Sequence, residues 1–151
     1  MAAISFYRWL ACEKGAELVE FALVLPLLLL IMFGIMDFGL LFQRYEVVTN
    51  AAREGARIAV LPAYGPGDVD ARVKQYLVAA GLKSTPTITP INQAMNVGGA
   101  CVTLTGVTVG YPHQYLFIGN IIGFFGGSGF STQTLTATAT MRYEGAASTC
   151  S

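Results

Sequence analysis

The order of apolar and polar positions divides the chain into a long apolar run near its start and a mixed remainder. Residues 21–42 are apolar almost throughout, and residues 21–36 read FALVLPLLLLIMFGIM, without a charged side chain. As a helix, residues 21–42 rise about 33 Å at ~1.5 Å per residue, which matches the ~30 Å hydrocarbon core of a bilayer. The run therefore predicts one membrane-spanning helix in contact with the lipid bilayer.

A buried core helix and a cleaved secretory signal both fit the apolar run less well than a membrane span does. A helix that is apolar all round and buried in protein needs more chain around it than the roughly 110 remaining residues supply easily. A cleaved signal would end in small residues of an A-x-A-like pattern, whereas residues 39–43 read GLLFQ. We therefore expect lipid around this helix.

The charges that flank the span do not orient it. Arg8 and Lys14 precede the run, and Arg44, Arg53 and Arg57 follow it, so counting basic residues decides nothing. We place the N-terminus in the cytoplasm because the leader is short and the C-terminal side has the pattern of an exported domain. The expected location is the bacterial cytoplasmic membrane, with a single pass.

Two acidic residues bracket the apolar run, Glu20 at its start and Asp37 near its far end. For Asp37 we expect simple hydration at headgroup depth. The alternative is a position just inside the bilayer edge, where a carboxylate seeks a partner helix.

The helix is predicted to continue beyond the membrane to Leu61, because no proline interrupts it before Pro62. Small residues recur on one face of this extension, and they are Ala51, Ala52, Gly55, Ala56 and Ala59. Small faces allow two helices to approach closely, but the same face suits packing on the protein's own sheet. Both alternatives stay open, and beside this face Glu54 can pair with Arg57 one turn later.

A second, short amphipathic helix is predicted after the AYGPG turn of residues 63–67. Asp68 is the expected N-cap and Gly81 the expected C-terminal stop. The predicted buried face consists of Val69, Val73, Tyr76, Leu77 and Ala80.

The remaining pattern predicts a small antiparallel sheet. Thr85–Ile91 suits an edge strand because it contains proline. Ala100–Tyr111 shifts its apolar set by one position past Gly106, which predicts a bulge there. Thr132–Tyr143 alternates strictly, with Leu135, Ala137, Ala139, Met141 and Tyr143 on the inward face. The fold class is therefore α+β.

These elements predict a leader over residues 1–15, a membrane helix with its extension over 16–61, and an exported α+β domain over 62–151. The segment Gln114–Gly129 is apolar, glycine-rich and aromatic. We expect it to cover one face of the sheet, and the alternative is an exposed patch that meets the membrane surface or a partner.

Composition and charge exclude several classes of function. Nine basic residues balance nine acidic ones, and without a basic patch we expect no nucleic-acid partner. His113 is the only histidine, so a catalytic triad or a histidine-rich zinc site has one candidate imidazole at most. It follows Pro112, where we expect a solvated turn. We predict no enzyme activity, no cofactor and no metal.

Three segments together resemble a known family. KGAELVEFALVLP, from Lys14, resembles the opening of TadE-like proteins; TNAAREGAR, from Thr49, resembles their next hallmark; and TLTATATMRYE, from Thr134, is similar to their terminal strand. The glycine at position 15, five residues before Glu20 at the start of the apolar helix, is typical of a type IV prepilin processing signal.

This resemblance implies a pseudopilin of a Tad/Flp-type pilus system, with a prepilin peptidase and other pilins or pseudopilins as partners. It implies cleavage between Gly15 and Ala16. It also implies that Glu20 pairs with the new amine of a neighbouring subunit, a contact that sets register more than it adds stability. The alternative function is an uncleaved, single-span envelope protein whose exported domain is a sensor or scaffold.

The three cysteines predict one disulfide. Cys12 lies in the leader, on the side that we place in the reducing cytoplasm, whereas Cys101 and Cys150 lie in the exported domain. Disulfides form and persist outside the cytoplasm, so we expect Cys101 to pair with Cys150. Free thiols or metal ligands are the alternatives.

Overall fold

The architecture of the chain is α+β, as predicted, with one long helix against a small sheet. The computed structural model describes residues 13–124 and 132–143. In chain order these residues form α1 (Glu13–Ala59), α2 (Pro66–Ala79), β1 (Thr87–Val97), β2 (Ala100–Gln114), α3 (Ile118–Phe124) and β3 (Thr132–Arg142).

Helix α1 is a single unbroken element of 47 residues that contains both the apolar run and its extension. Pro26 lies inside the helix, where it removes one backbone donor. The helix ends two residues before the predicted Leu61, and the chain then turns through Pro62. One continuous helix therefore connects the apolar segment to the α+β domain.

Helix α2 begins differently from the prediction. Gly65 is the N-cap and Pro66 the first helical residue, where proline's missing N–H costs nothing. Asp68 lies in the first turn and accepts the Gly65 N–H at 2.8 Å, so its prediction as the N-cap was wrong. Gly81 ends the helix with φ of +81°, as predicted. Val69, Val73 and Leu77 are buried, but Tyr76 and Ala80 are exposed.

The sheet has the order β1-β2-β3, with both pairs antiparallel. Strand β1 is the predicted edge strand, although it begins at Thr87 and runs six residues beyond Ile91. Gly98 and Gly99 join β1 to β2 with φ of +62° and +87°. Two consecutive positive φ values define the tight hairpin turn that glycine favours.

The predicted bulge at Gly106 does not occur. Gly106 pairs in continuous register with Ile91 on one side and Thr140 on the other. A Cβ at this position would lie 2.7 Å from the Thr140 Cα, so the glycine permits close strand approach instead. The shift in apolar pattern reflects a change in which face is covered: Val107 and Val109 are fully buried, whereas Val102 and Leu104 lie on the opposite face.

The hydrophobic core lies between one face of the sheet and the two helices α1 and α2. Strand β3 contributes the buried Leu135 and Ala137, and the partly buried Ala139 packs against the core, as its alternation predicts. Met141 is 37% exposed, contrary to the prediction, because it lies near the end of the strand. Tyr143 follows the strand and donates its backbone N–H to the Thr103 carbonyl at 2.8 Å.

Candidate membrane and assembly site

The outer surface of the first half of α1 is a continuous apolar belt. Its mean hydropathy reaches 2.7 over its most apolar window, and none of that window is buried by the rest of the protein. More than half of each of the following side chains is exposed: Leu18, Phe21, Leu23, Leu27, Ile31, Ile35, Phe38 and Phe42. A helix with this surface requires lipid or another protein around it.

The predicted processing residues lie in the first turns of α1. Gly15 is half-buried, and Ala16 and Glu20 are exposed. Within residues 13–124 and 132–143, no side chain forms an ion pair or hydrogen bond with Glu20.

Asp37 is buried, so the expectation that it would be hydrated at headgroup depth was wrong. It is 1% exposed and accepts four backbone hydrogen bonds from the segment after β2. The Leu116 and Phe117 N–H groups lie 3.0 and 3.3 Å from Oδ1, and the Phe117 and Ile118 N–H groups lie 3.0 and 2.7 Å from Oδ2. We call this set of bonds the Asp37 cap, because it satisfies the free donors at the start of α3.

The Asp37 cap joins residues 116–118 to α1. The ring of Phe117 stacks on Phe33, with centroids 4.7 Å apart and planes 10° from parallel. This part of the apolar segment therefore packs on the apolar belt, together with Ile118 and Ile121. The expectation that it covers a face of the sheet was wrong for residues 116–121.

His113 lies near the end of β2, three residues before the segment bound by the Asp37 cap. It is also buried rather than solvated. It is 1% exposed, and its Nδ1 lies 3.0 Å from Arg44 Nη1. Because a guanidinium only donates, Nδ1 accepts and the ring proton lies on Nε2. Nε2 is buried and has no hydrogen-bond partner in the described residues of the chain.

The environment of His113 opposes its protonation. Burial, and then the positive charge of Arg44, lower the pKa of His113 below its usual value, although the negative charge of Asp37 acts in the opposite direction. The ring of Tyr115 packs edge-on, with its centroid 5.1 Å from that of His113. His113 is therefore a neutral acceptor that connects β2 to Arg44 on α1.

The small face of the α1 extension lies against the protein's own α2 and β2. Ala51, Ala52 and Ala56 are at most 1% exposed, Gly55 is buried and Ala59 is half-buried. A Cβ at Gly55 would lie 2.6 Å from Val73 Cγ2 and 2.8 Å from Val107 Cγ1. Of the two alternatives that the sequence left open, internal packing is the arrangement in this structure.

An ion pair fixes α2 to α1 at the edge of this contact. Arg72 Nε and Nη2 lie 3.1 and 2.8 Å from Glu54 Oε1. The predicted partner Arg57 is 3.9 Å from the other carboxylate oxygen, and 73% of its side chain is exposed. Glu54 thus makes its closer contact with the neighbouring helix.

Cys101, at the start of β2, is disulfide-bonded. The predicted partner, Cys150, lies outside the described residues, as does Cys12, so the pairing itself stays a prediction. Among the described residues, no group of three or more His, Cys, Asp or Glu side chains is placed to hold a metal ion.

These features define a class of protein: a membrane-anchored chain with one apolar helix and a small α+β domain at its C-terminal end. Within the described residues, one helix is long and apolar enough to cross a membrane, over Gly15–Ala59. The family model of TadE-like proteins matches residues 15–57, which confirms the resemblance over the first two of the three segments; the segment from Thr134 lies outside the match. This family implies involvement in Tad pilus systems.

The matched segment covers most of α1 and none of the strands. No curated protein and no solved structure matches the chain. The family match therefore concerns α1 alone, and the α+β domain is described by its own geometry.

Sequence reasoning missed the role of two residues. Asp37 and His113 were both expected to meet water, and both are buried with partners far away in sequence. The available signal was an acid within an apolar run, which is costly unless a partner meets it. Nothing in the sequence identified that partner as the backbone of residues 116–118.

Proposed function

We propose that this protein is a non-catalytic, pseudopilin-like component of a Tad/Flp-type pilus assembly system. It is held in the cytoplasmic membrane by α1, with its N-terminus in the cytoplasm and its α+β domain exported. The observation that carries the proposal is the family match, which begins at Gly15, the residue before the proposed cleavage point.

The N-terminal turns of α1 support processing by a prepilin peptidase. Ala16 and Glu20 are exposed at the beginning of a long apolar helix. Cleavage after Gly15 would create an amine at Ala16 close to the membrane boundary. The carboxylate of Glu20, which has no partner among the described side chains, then supplies an opposite charge for the amine of a neighbouring subunit.

A charge pair at this place would act mainly on register. Two opposite charges near a bilayer require each other, since either alone is expensive at low dielectric. Subunits whose helices slide out of alignment lose the pair and leave both charges unmatched. Prepilin peptidase and other pilins or pseudopilins are the proposed partners.

The experiment is N-terminal sequencing of the protein extracted from membranes of a strain that carries a Tad system. We expect the mature chain to begin at Ala16. Replacing Gly15 with valine should prevent cleavage, because the branched side chain does not fit where the peptidase accepts glycine. Gly34→Val is the matched control, since a Cβ at Gly34 meets no atom within 4 Å.

A mature chain that begins at Met1 would instead favour the alternative, an uncleaved envelope protein with a sensor or scaffold domain. Normal cleavage of the Gly15→Val variant would also contradict the processing signal. If the Gly34→Val control also fails to be cleaved, the defect lies in membrane insertion rather than in recognition of the site.

A further inference from the structure

The uncharged part of α1 is shorter than the hydrocarbon core of a bilayer. Residues 21–36 carry no charge, and as a helix they span only about 24 Å, less than the ~30 Å hydrocarbon core. At least one of the flanking acids, Glu20 or Asp37, therefore lies within the apolar part of the bilayer. Asp37 is the acid whose oxygens already accept four backbone hydrogen bonds.

The depth of the segment bound to Asp37 follows from its partners on α1. With Glu20 at the inner boundary, Asp37 lies about 26 Å further along the helix axis and Phe33 about 20 Å. Phe117 stacks on Phe33, so its ring lies roughly 10 Å inside the outer boundary of a ~30 Å core. Arg44, the first basic residue after the run, lies about 36 Å from Glu20 and hence outside it.

The segment is mostly apolar, and the amide of its exposed Asn120 donates to the Leu116 carbonyl at 2.9 Å. Residues 114–124 contain no charged side chain, and Leu116 is 56% exposed. Its helix α3 also forms one wall of an apolar groove on α1, lined by Leu30, Ile31, Ile35, Phe38, Ile118 and Ile121. The groove is continuous with the apolar belt of the spanning helix.

We propose that residues 116–121 insert into the outer leaflet of the membrane beside α1, where they and the adjoining groove contact lipid acyl chains. The Asp37 cap holds the segment at this depth. Its N–H groups and the Asp37 carboxylate satisfy each other where water is absent. The membrane-embedded part of the protein then consists of the spanning helix and the inserted residues 116–121. This inference rests on the membrane anchoring and orientation given under the proposed function, and it is independent of pilus assembly and of cleavage.

The test uses the full chain in lipid vesicles with a single tryptophan as depth reporter. The native Trp9 is replaced by phenylalanine, and the reporter is placed by Leu116→Trp. The matched control is Tyr64→Trp, since Tyr64 is 51% exposed on the exported domain. Emission is measured in vesicles of phosphatidylcholine brominated along the acyl chains, and separately with iodide in the water.

We expect the Leu116→Trp reporter to emit at shorter wavelength and to lose most of its emission to brominated lipid. The Tyr64→Trp reporter should respond to iodide and hardly to bromine. Quenching of the Leu116→Trp reporter by iodide, to the extent seen for the control, would overturn membrane insertion. Resistance to both quenchers would overturn lipid as the occupant and indicate a protein cover, such as a second copy of this chain.

A further substitution tests the Asp37 cap itself. Asp37→Ala in the reporter background should release the segment, so that quenching by brominated lipid falls several-fold and quenching by iodide rises. Unchanged quenching by brominated lipid would show that the packing of Phe117 on Phe33 holds the segment without Asp37, contrary to the role proposed for the cap.

Discussion

The backbone N–H of Ile118 donates a 2.7 Å hydrogen bond to Asp37 Oδ2, joining residues that lie 81 positions apart in sequence. The membrane helix and the segment that follows β2 are thus connected by polar contacts in an otherwise apolar region. A carboxylate in such surroundings is stable only when donors surround it. This pairing joins the α+β domain to the apolar part of α1.

Removing the carboxylate should loosen the start of α3. In Asp37→Ala, the N–H groups of residues 116–118 lose their acceptor, and a buried unmatched donor costs about 1–3 kcal/mol. We expect amide hydrogen exchange at these residues to quicken by roughly 10- to 100-fold. Asn120→Ala is the control: it removes only the exposed 2.9 Å bond to the Leu116 carbonyl. Equal exchange in the two variants would contradict the Asp37 cap.

Adding a methyl group at Gly55 should destabilise the α+β domain. The new Cβ would meet Val73 and Val107 at 2.6 and 2.8 Å, and overpacking of this kind costs about 1–3 kcal/mol. Thermal unfolding of Gly55→Ala, and more so of Gly55→Leu, should show the loss. Gly67→Ala is the matched control, because its Cβ would meet no atom within 4 Å and alanine favours a helix.

The same variants separate internal packing from contact between subunits. A lower melting temperature of Gly55→Ala with unchanged crosslinking partners is the expected result. Altered crosslinking at an unchanged melting temperature would instead assign the small face to an intermolecular contact.

Replacing Glu20 with leucine should leave membrane insertion intact and impair pilus production in a strain that depends on this protein. The physical reason is the loss of the carboxylate that we propose as partner of a neighbouring N-terminal amine. Glu17 is also exposed, so Glu17→Leu controls for the charge change alone. Normal piliation with Glu20→Leu as the sole copy would remove Glu20 from the assembly contact.

The buried imidazole of His113 predicts a dependence of stability on pH. Because burial and Arg44 lower the pKa of His113 in the folded state, the unfolded chain binds more protons below the unfolded value of about 6.5. Stability is therefore complete above that pH and is lost as the pH falls toward the folded value, by at most ~1.4 kcal/mol per pH unit.

Unfolding of the wild type and of His113→Asn between neutral and mildly acidic pH measures this effect. Asparagine keeps an acceptor for Arg44 but does not titrate in this range, so the variant should show a shallower decline. Identical slopes in the two proteins would mean that His113 does not contribute to the pH dependence.

The predicted disulfide between Cys101 and Cys150 should stabilise the α+β domain. A loop of about 50 residues closed by a disulfide contributes roughly 4 kcal/mol on the chain-entropy model. Intact mass after alkylation, with and without prior reduction, counts the free thiols. Without reduction, Cys150→Ser should have one free thiol more than the wild type, at Cys101. Alkylation of both cysteines in freshly isolated, unreduced protein would exclude the bridge.

The sequence by itself determined the elements whose pattern is local. The apolar run of residues 21–42 predicts a spanning helix because of its length, with Asp37 as its only charged residue. The alternation of Leu135, Ala137 and Ala139 specified the inward face of β3. The TadE-like opening from Gly15 was also readable, because its residues are consecutive.

The tertiary structure alone decided how distant segments meet. The sequence does not identify residues 116–118 as the partners of Asp37, because these partners are backbone N–H groups, which every non-proline residue has. The burial of His113 depends on which face of β2 the helices cover. The role of Gly106 depends on how closely β3 approaches. Each of these outcomes is a matter of three-dimensional contact between residues far apart in sequence, so no local period or motif encodes it.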